Sequence, residues 1–139
     1  MCIRDRHNGE QFIGKSEVAG VKGDPFQAFG PTLAKLGFVV LAPDQICFED
    51  RRRNKSGTEP SEGDEDFLQQ FNEMSYRLIH GDTIMRKVLD DVIIGFSLLL
   101  NHKLVDPNRA GAIGHSLGGN TTLFHAATCL LYTSPSPRD

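Results

Sequence analysis

The strongest constraint on this chain lies near its end, where a short apolar run, 110–113, leads into Gly114-His115-Ser116-Leu117-Gly118-Gly119. The next residues, 120–127, have the composition of a helix. This spacing fits G-x-S-x-G, in which a serine occupies a sharp turn between a strand and a helix. The backbone of such a turn is strained, and glycines beside the serine are needed because larger side chains would clash. The pattern predicts Ser116 as a nucleophile; a purely structural Gly/Ser turn is the alternative.

The residue after the serine is the second candidate. The amide of Leu117 stands at the start of the predicted helix, where the helix dipole favours negative charge. One such donor, aimed at the oxygen of a tetrahedral intermediate, stabilises the transition state by about 3 kcal/mol. A phosphate-binding loop would need a lysine where this chain has Asn120, so nucleotide binding is disfavoured.

Hydrophobic spacing and turn residues divide the rest of the chain into alternating elements. The predicted elements are a helix over 25–36 capped by Asp24 and ended by Gly37, a strand over 38–42, a polar loop over 45–66, a helix from Phe67 towards Gly81, a helix over 82–102 capped by Asp82, a turn over 106–109 and a strand over 110–113. Alternating strands and helices predict an α/β fold, with three αβα layers around a mainly parallel sheet.

Composition narrows the functional classes. The chain has 139 residues and a formal charge of −3, without the basic stripe of a nucleic-acid-binding protein. Its longest apolar run, 92–100, is far shorter than the roughly 18 residues that a membrane span needs. The histidines lack metal-ligand spacing, so no metal and no cofactor are expected. The charged side chains of the 45–66 loop are interpreted as solvated. The alternative is that this loop forms a wall of a pocket beside the active site.

Both ends of the chain resemble translated adapter sequence from short-read libraries. Residues 1–6 and 129–139 are therefore predicted to be non-native, with 7–128 cut from a longer open reading frame. Cys47 is then the single native cysteine, which excludes an intrachain disulfide. Localisation and oligomeric state stay open.

Three segments carry a family resemblance: 37–44, 47–52 and 105–109 leading into the turn at Ser116. They are similar to the α/β-hydrolase superfamily, in particular to dienelactone-hydrolase-like and acetyl-xylan-esterase-like proteins. The resemblance implies that 7–128 is the N-terminal and central part of an α/β-hydrolase domain. The resemblance implies that the loop at His7 contributes the amides of Asn8 and Gly9 to the oxyanion hole, with a plain turn as the alternative for Gly9. It also implies a strand before His7, a place that we expect residues 2 to 6 to occupy.

The resemblance further implies a triad in the order Ser, Asp or Glu, His. His125 follows Ser116 by only nine positions along the chain, too few for a triad base that a late loop brings in, and His115 should point away from the hydroxyl. We therefore expect the parent protein to be a serine hydrolase of small carboxylic esters or lactones, and the 139-residue chain to be inactive. The alternatives are a prolyl-oligopeptidase-like peptidase and a non-catalytic binding module.

Overall fold

The computed structural model describes residues 2–4, 13–53 and 65–128. Within them, the regular elements in chain order are β1 (Cys2–Arg4), α1 (Lys15–Val18), α2 (Phe29–Lys35), α3 (Glu65–Ile79), α4 (Ile84–Leu100), β2 (Ile113–His115) and α5 (Leu117–Thr128). Three single turns of 3-10 helix cover Pro25–Gln27, Glu49–Arg51 and Pro107–Arg109.

The prediction of a three-layer αβα fold around a parallel sheet is wrong for these residues. Helices dominate, and β1 and β2 form a single parallel pair of three residues each. Ile3 lies opposite Gly114 in this pair. Residues 2–4 thus form a strand beside β2, as expected for this part of 2–6, whereas residues 5 and 6 lie outside the described residues.

The predicted strand over 38–42 is not a strand in the structure. An apolar, β-branched run becomes a strand only where a neighbouring backbone accepts and donates its ladder hydrogen bonds. Here Val39 and Leu41 instead pack their side chains against a core formed by Val92, Phe96 and Leu99 of α4. The segment is therefore held against α4 by side-chain packing, and the structure gives it no strand pairing.

The long helix was predicted well except at its start. Its apolar stripe is buried, with Val88, Val92, Phe96 and Leu99 at most 6% exposed. The capping residue is Thr83, whose hydroxyl accepts a hydrogen bond from the Arg86 amide at 3.1 Å, so the predicted cap at Asp82 is wrong. The helix predicted from Phe67 is also present as α3, although its apolar side chains are exposed, for example Phe67 at 61%.

The helix predicted over 25–36 is divided in two at Ala28, whose backbone leaves the helical region. Asp24 caps the first turn as predicted, accepting from the Phe26 amide at 3.0 Å. Gly37 ends α2 as predicted, with a φ of +88°. The amides of Gly37 and Phe38 donate to carbonyls of the last helical turn, which is the Schellman pattern of a glycine-terminated helix.

Candidate functional site: a serine between strand and helix

Ser116 occupies the single-residue turn between β2 and α5. Its φ of +53° lies in the left-handed region, which a residue with a side chain rarely adopts. Such conformations cost about 1 to 3 kcal/mol and persist only where the surrounding structure imposes them. The turn and the helix predicted around G-x-S-x-G are therefore present, with Leu117, Gly118 and Gly119 opening α5. The strand lies later than predicted: β2 covers Ile113–His115, so it shares only Ile113 with the predicted 110–113.

The first turn of α5 presents free backbone donors next to the serine. The carbonyl of Ser116 accepts the first helical hydrogen bond, from the Asn120 amide at 3.0 Å. The amides that precede Asn120 in α5 have no acceptor within a helix, because helices leave their first N–H groups unpaired. Leu117 follows the serine directly, so its amide lies at the positive end of the helix dipole.

The space around Gly119, in the first turn of α5, does not require a glycine. A methyl group added to Gly119 would meet the carbonyl oxygen of Gly114 at 3.5 Å, an ordinary van der Waals distance. A side chain as small as that of alanine therefore fits at Gly119.

Gly119→Ala should stabilise the protein. Alanine is preferred over glycine inside a helix by about 0.8 to 1 kcal/mol, and the structure leaves room for its methyl group. Urea unfolding should show a higher midpoint. Gly37→Ala is the control, because the +88° φ of Gly37 should make alanine destabilising there. A destabilised Gly119→Ala variant would contradict the geometry at this turn.

The two histidines nearest the serine in sequence do not form a catalytic pair with it. His115 is exposed on β2. His125 is 1% exposed and packs edge-on against the Phe96 ring, with 5.4 Å between centroids. Burial lowers the pKa of His125. Nine residues of helix separate it from Ser116, about 13 Å along the axis at 1.5 Å per residue, which places it beyond hydrogen-bonding reach.

Two carboxylates from the 44–49 segment bind the start of α1. Asp44 Oδ1 accepts from the Lys15 amide at 2.7 Å. Glu49 Oε2 accepts from the amides of Gly14, at 3.2 Å, and Ser16, at 2.9 Å, and the Ser16 hydroxyl donates to Oε1. We call Asp44 and Glu49 the carboxylate clamp. It supplies acceptors for three successive amides that lie 29 to 35 residues away in the chain.

Burial and ion pairing set the charges of the clamp. Burial raises the pKa of Asp44, in spite of the Lys15 ammonium 2.5 Å from Oδ2. Burial also disfavours ionisation of Glu49, but the hydrogen bonds from Ser16 outweigh it and hold the Glu49 pKa below its usual value. Burial opposes the charge on Lys15 as well, and its hydrogen bonds to Asp44 and Asp50 outweigh this and raise its pKa.

The same segment also reaches α5. Gln45, which is 8% exposed, donates from Nε2 to the hydroxyl of Thr121 at 3.3 Å, and Thr121 is fully buried. The Thr121 hydroxyl donates in turn to the Leu117 carbonyl at 2.9 Å. A buried hydrogen-bonded chain therefore connects residue 45 to the first residue of the helix after Ser116.

Several charges of the 45–53 stretch are not solvated, contrary to expectation. Arg52 is 5% exposed and donates to Asp66 of α3 at 3.0 Å. Arg51 donates to Asp91 of α4 at 2.8 Å. The stretch therefore contacts the helices instead of standing in solvent. Residues 54–64 of the predicted loop lie outside the described residues.

Cys47 is buried, and burial raises its thiol pKa to about 11. Asn8 and Gly9, the remaining oxyanion-hole candidates, lie outside the described residues, as does His7. The next described residues along the chain are Ile13 and Gly14, and the carboxylate clamp binds the Gly14 amide.

The part of the chain that the structure describes contains no cluster of His, Cys, Asp and Glu that could hold a metal ion. None of its helices is both long and apolar enough to cross a membrane.

Sequence reasoning did not identify the clamp or the contact between Gln45 and Thr121. The two residues of that contact are 76 positions apart, and no local spacing connects them. The one available signal was the position of Asp44 and Gln45, directly after an apolar run that ends in proline.

The chain is similar to a curated protein named "Putative hydrolase YtaP" from Bacillus subtilis (strain 168). The two are 30% identical over 128 residues, which cover 91% of this chain. The chain spans 38% of the length of that relative. No protein-family model matches the chain. No solved structure shows a significant match to it.

Proposed function

We propose that this chain carries the nucleophile of a serine hydrolase that cleaves small carboxylic esters or lactones, of the dienelactone-hydrolase-like and acetyl-xylan-esterase-like kind. The observation that carries the proposal is the left-handed backbone of Ser116 between β2 and α5. Strain at a residue with a chemically useful hydroxyl is typical of functional sites. The similarity to a relative named as a hydrolase supports hydrolysis in general.

In the proposed reaction the Ser116 hydroxyl attacks the carbonyl carbon of the ester. The carbonyl oxygen becomes an oxyanion, which the Leu117 amide stabilises at the helix N-terminus. Collapse of the tetrahedral intermediate expels the alcohol and leaves the acyl group on Ser116. Water then attacks the acyl-serine and releases the acid, which regenerates the hydroxyl.

A serine hydroxyl needs a neighbouring base, because it is a weak nucleophile at its free pKa. After Ser116 the sequence up to residue 128 offers His125 alone as a histidine, and its burial against Phe96 disqualifies it. We therefore propose that the base and its carboxylate partner come from sequence after residue 128 in the product of the complete gene.

Labelling with a fluorophosphonate tests the proposal, since this probe forms a covalent bond to activated serines. The product of the complete gene should be labelled on the tryptic peptide that begins at Ala110, which contains Ser116. Mass spectrometry identifies the peptide and the modified residue. Ser116→Ala should abolish the labelling.

The matched control is Ser97→Ala. Ser97 lies exposed on α4, where its hydroxyl donates to the Ile93 carbonyl at 2.8 Å, and trypsin releases it on a different peptide, 88–103. Labelling should be unchanged in this variant. A folded wild-type protein that remains unlabelled would refute the nucleophile and favour a non-catalytic binding module.

A further inference from the structure

The buried chain from Gln45 through Thr121 to Leu117 has a fixed direction. A threonine hydroxyl carries one proton, and the Thr121 hydroxyl donates it to the Leu117 carbonyl at 2.9 Å. The lone pairs of that hydroxyl accept from Gln45 at 3.3 Å. The side-chain amide of Gln45 therefore has to present its NH2 group towards Thr121.

This chain ends on the residue that follows the proposed nucleophile. The carbonyl of Leu117 and its amide belong to neighbouring peptide planes that meet at the Leu117 Cα. Fixing the direction of the carbonyl restricts rotation about that Cα, and thus the direction in which the amide points. The contact acts on the first turn of α5, where the helix itself provides the fewest hydrogen bonds.

The backbone next to Gln45 is fixed by contacts with residues outside α5. Its neighbour Asp44 belongs to the carboxylate clamp and accepts from the Lys15 amide at 2.7 Å. The carbonyl of Asp44 accepts from the Arg51 guanidinium at 3.1 Å. The backbone at residue 44 is therefore fixed by contacts that do not involve α5, so it can serve as a reference point for Gln45.

We propose that Gln45 and Thr121 are positioning residues for the oxyanion donor: their buried hydrogen bond sets the orientation of the first turn of α5 and of the Leu117 amide. The proposal rests on the proposed function, because it assigns these residues a role in the reaction of Ser116. Neither residue contacts the substrate. They act through Leu117.

Small displacements of catalytic groups cost rate more than ground-state affinity, and a shift near 1 Å can cost about a hundredfold. In the product of the complete gene, Thr121→Val removes the hydroxyl and should lower kcat for p-nitrophenyl acetate about ten- to a hundredfold, with KM changed less than about twofold. Gln45→Glu places a carboxylate oxygen where the donor stood, and should have the same effect. Thr121→Ser retains the hydroxyl and should restore kcat.

Thr122→Val is the matched control. The Thr122 hydroxyl donates to the Gly118 carbonyl at 2.8 Å, the same helical bond one residue further on, but the contact from Gln45 reaches Thr121. This variant should keep the wild-type kcat. Thermal unfolding of each variant distinguishes a lower kcat in a folded protein from a loss of the folded structure. If Thr121→Val fails to fold, Gln45→Leu removes the same contact and its kcat can be measured instead.

The double variant Gln45→Leu/Thr121→Val provides the sharpest test, because two residues acting through one contact give non-additive effects. Its kcat should be no lower than that of the more damaged single variant. Two results would overturn the positioning role, provided that Ser116 is still labelled in the wild type. One is a loss of kcat in the double variant equal to the sum of the two single losses in free energy, and the other is an equal loss of kcat in Thr122→Val. Absence of that labelling would instead overturn the proposed function, and the positioning role with it.

Discussion

Ser116→Ala should lower kcat of the complete gene product for p-nitrophenyl acetate by about 10⁴-fold or more. Removal of the serine nucleophile from a hydrolase eliminates the covalent route, and the remaining rate comes from substrate binding and the oxyanion donors. The loss should appear in kcat, because alanine leaves the binding surface almost unchanged. Steady-state kinetics over a range of ester concentrations measure both constants.

The stability of this variant provides its control. Alanine at a φ of +53° is strained, as serine is, so Ser116→Ala should unfold close to the wild-type temperature. Ser116→Gly should unfold at a higher temperature, since glycine adopts this conformation without strain. Retention of more than a tenth of the wild-type kcat by a well-folded Ser116→Ala protein would refute the nucleophile.

Gly14→Ala should destabilise the protein by about 3 kcal/mol, as expected when overpacking also breaks hydrogen bonds to a charged group. A Cβ at this position would lie 2.4 Å from Asp44 Oδ1 and 3.2 Å from Glu49 Cβ. Asp44 cannot move away freely, because the Lys15 amide and ammonium both hold its carboxylate. The methyl group therefore has to displace the carboxylate clamp from the start of α1. Urea unfolding measures the loss as a lower midpoint with an unchanged slope.

Gly111→Ala is the matched control for this substitution. Gly111 is exposed, and a Cβ there would meet nothing within 4 Å. Its midpoint should stay within experimental error of the wild type. Equal midpoints for Gly14→Ala and Gly111→Ala would show that the clamp does not hold residues 14–16 as tightly as the contacts indicate.

Local chemistry made several elements predictable. The stripe from Val88 to Leu99 repeats at helical spacing, and α4 buries it. Asp24 and Gly37 act within a few residues of their own positions, so their capping and terminating roles follow from the sequence. The turn at Ser116 belongs to this group, because glycine spacing, an apolar run and a following helix all lie within about 18 residues.

The failed predictions depended on distant partners. The 38–42 run has the composition of a buried strand, but the described residues give it side-chain contacts with α4 and no backbone ladder. The helix over 25–36 breaks at Ala28, near the close approach of Gly30 to the Val18 carbonyl, where a Cβ would lie at 2.8 Å. Arg51 and Arg52 belong to a run of charged residues that the sequence predicts to be solvated. In the structure both form ion pairs with carboxylates, Arg51 on α4 and Arg52 on α3.

The sequence by itself determined the turn at Ser116, the helix that follows it and the nature of its candidate chemistry, because these depend on contacts between near neighbours. Tertiary structure alone decided that the 44–49 segment binds both residues 14–16 and α5. Those contacts join groups that are 29 to 76 positions apart in the chain. A buried amide or carboxylate forms hydrogen bonds with whichever partner the fold brings within reach, since leaving it unpaired would cost more.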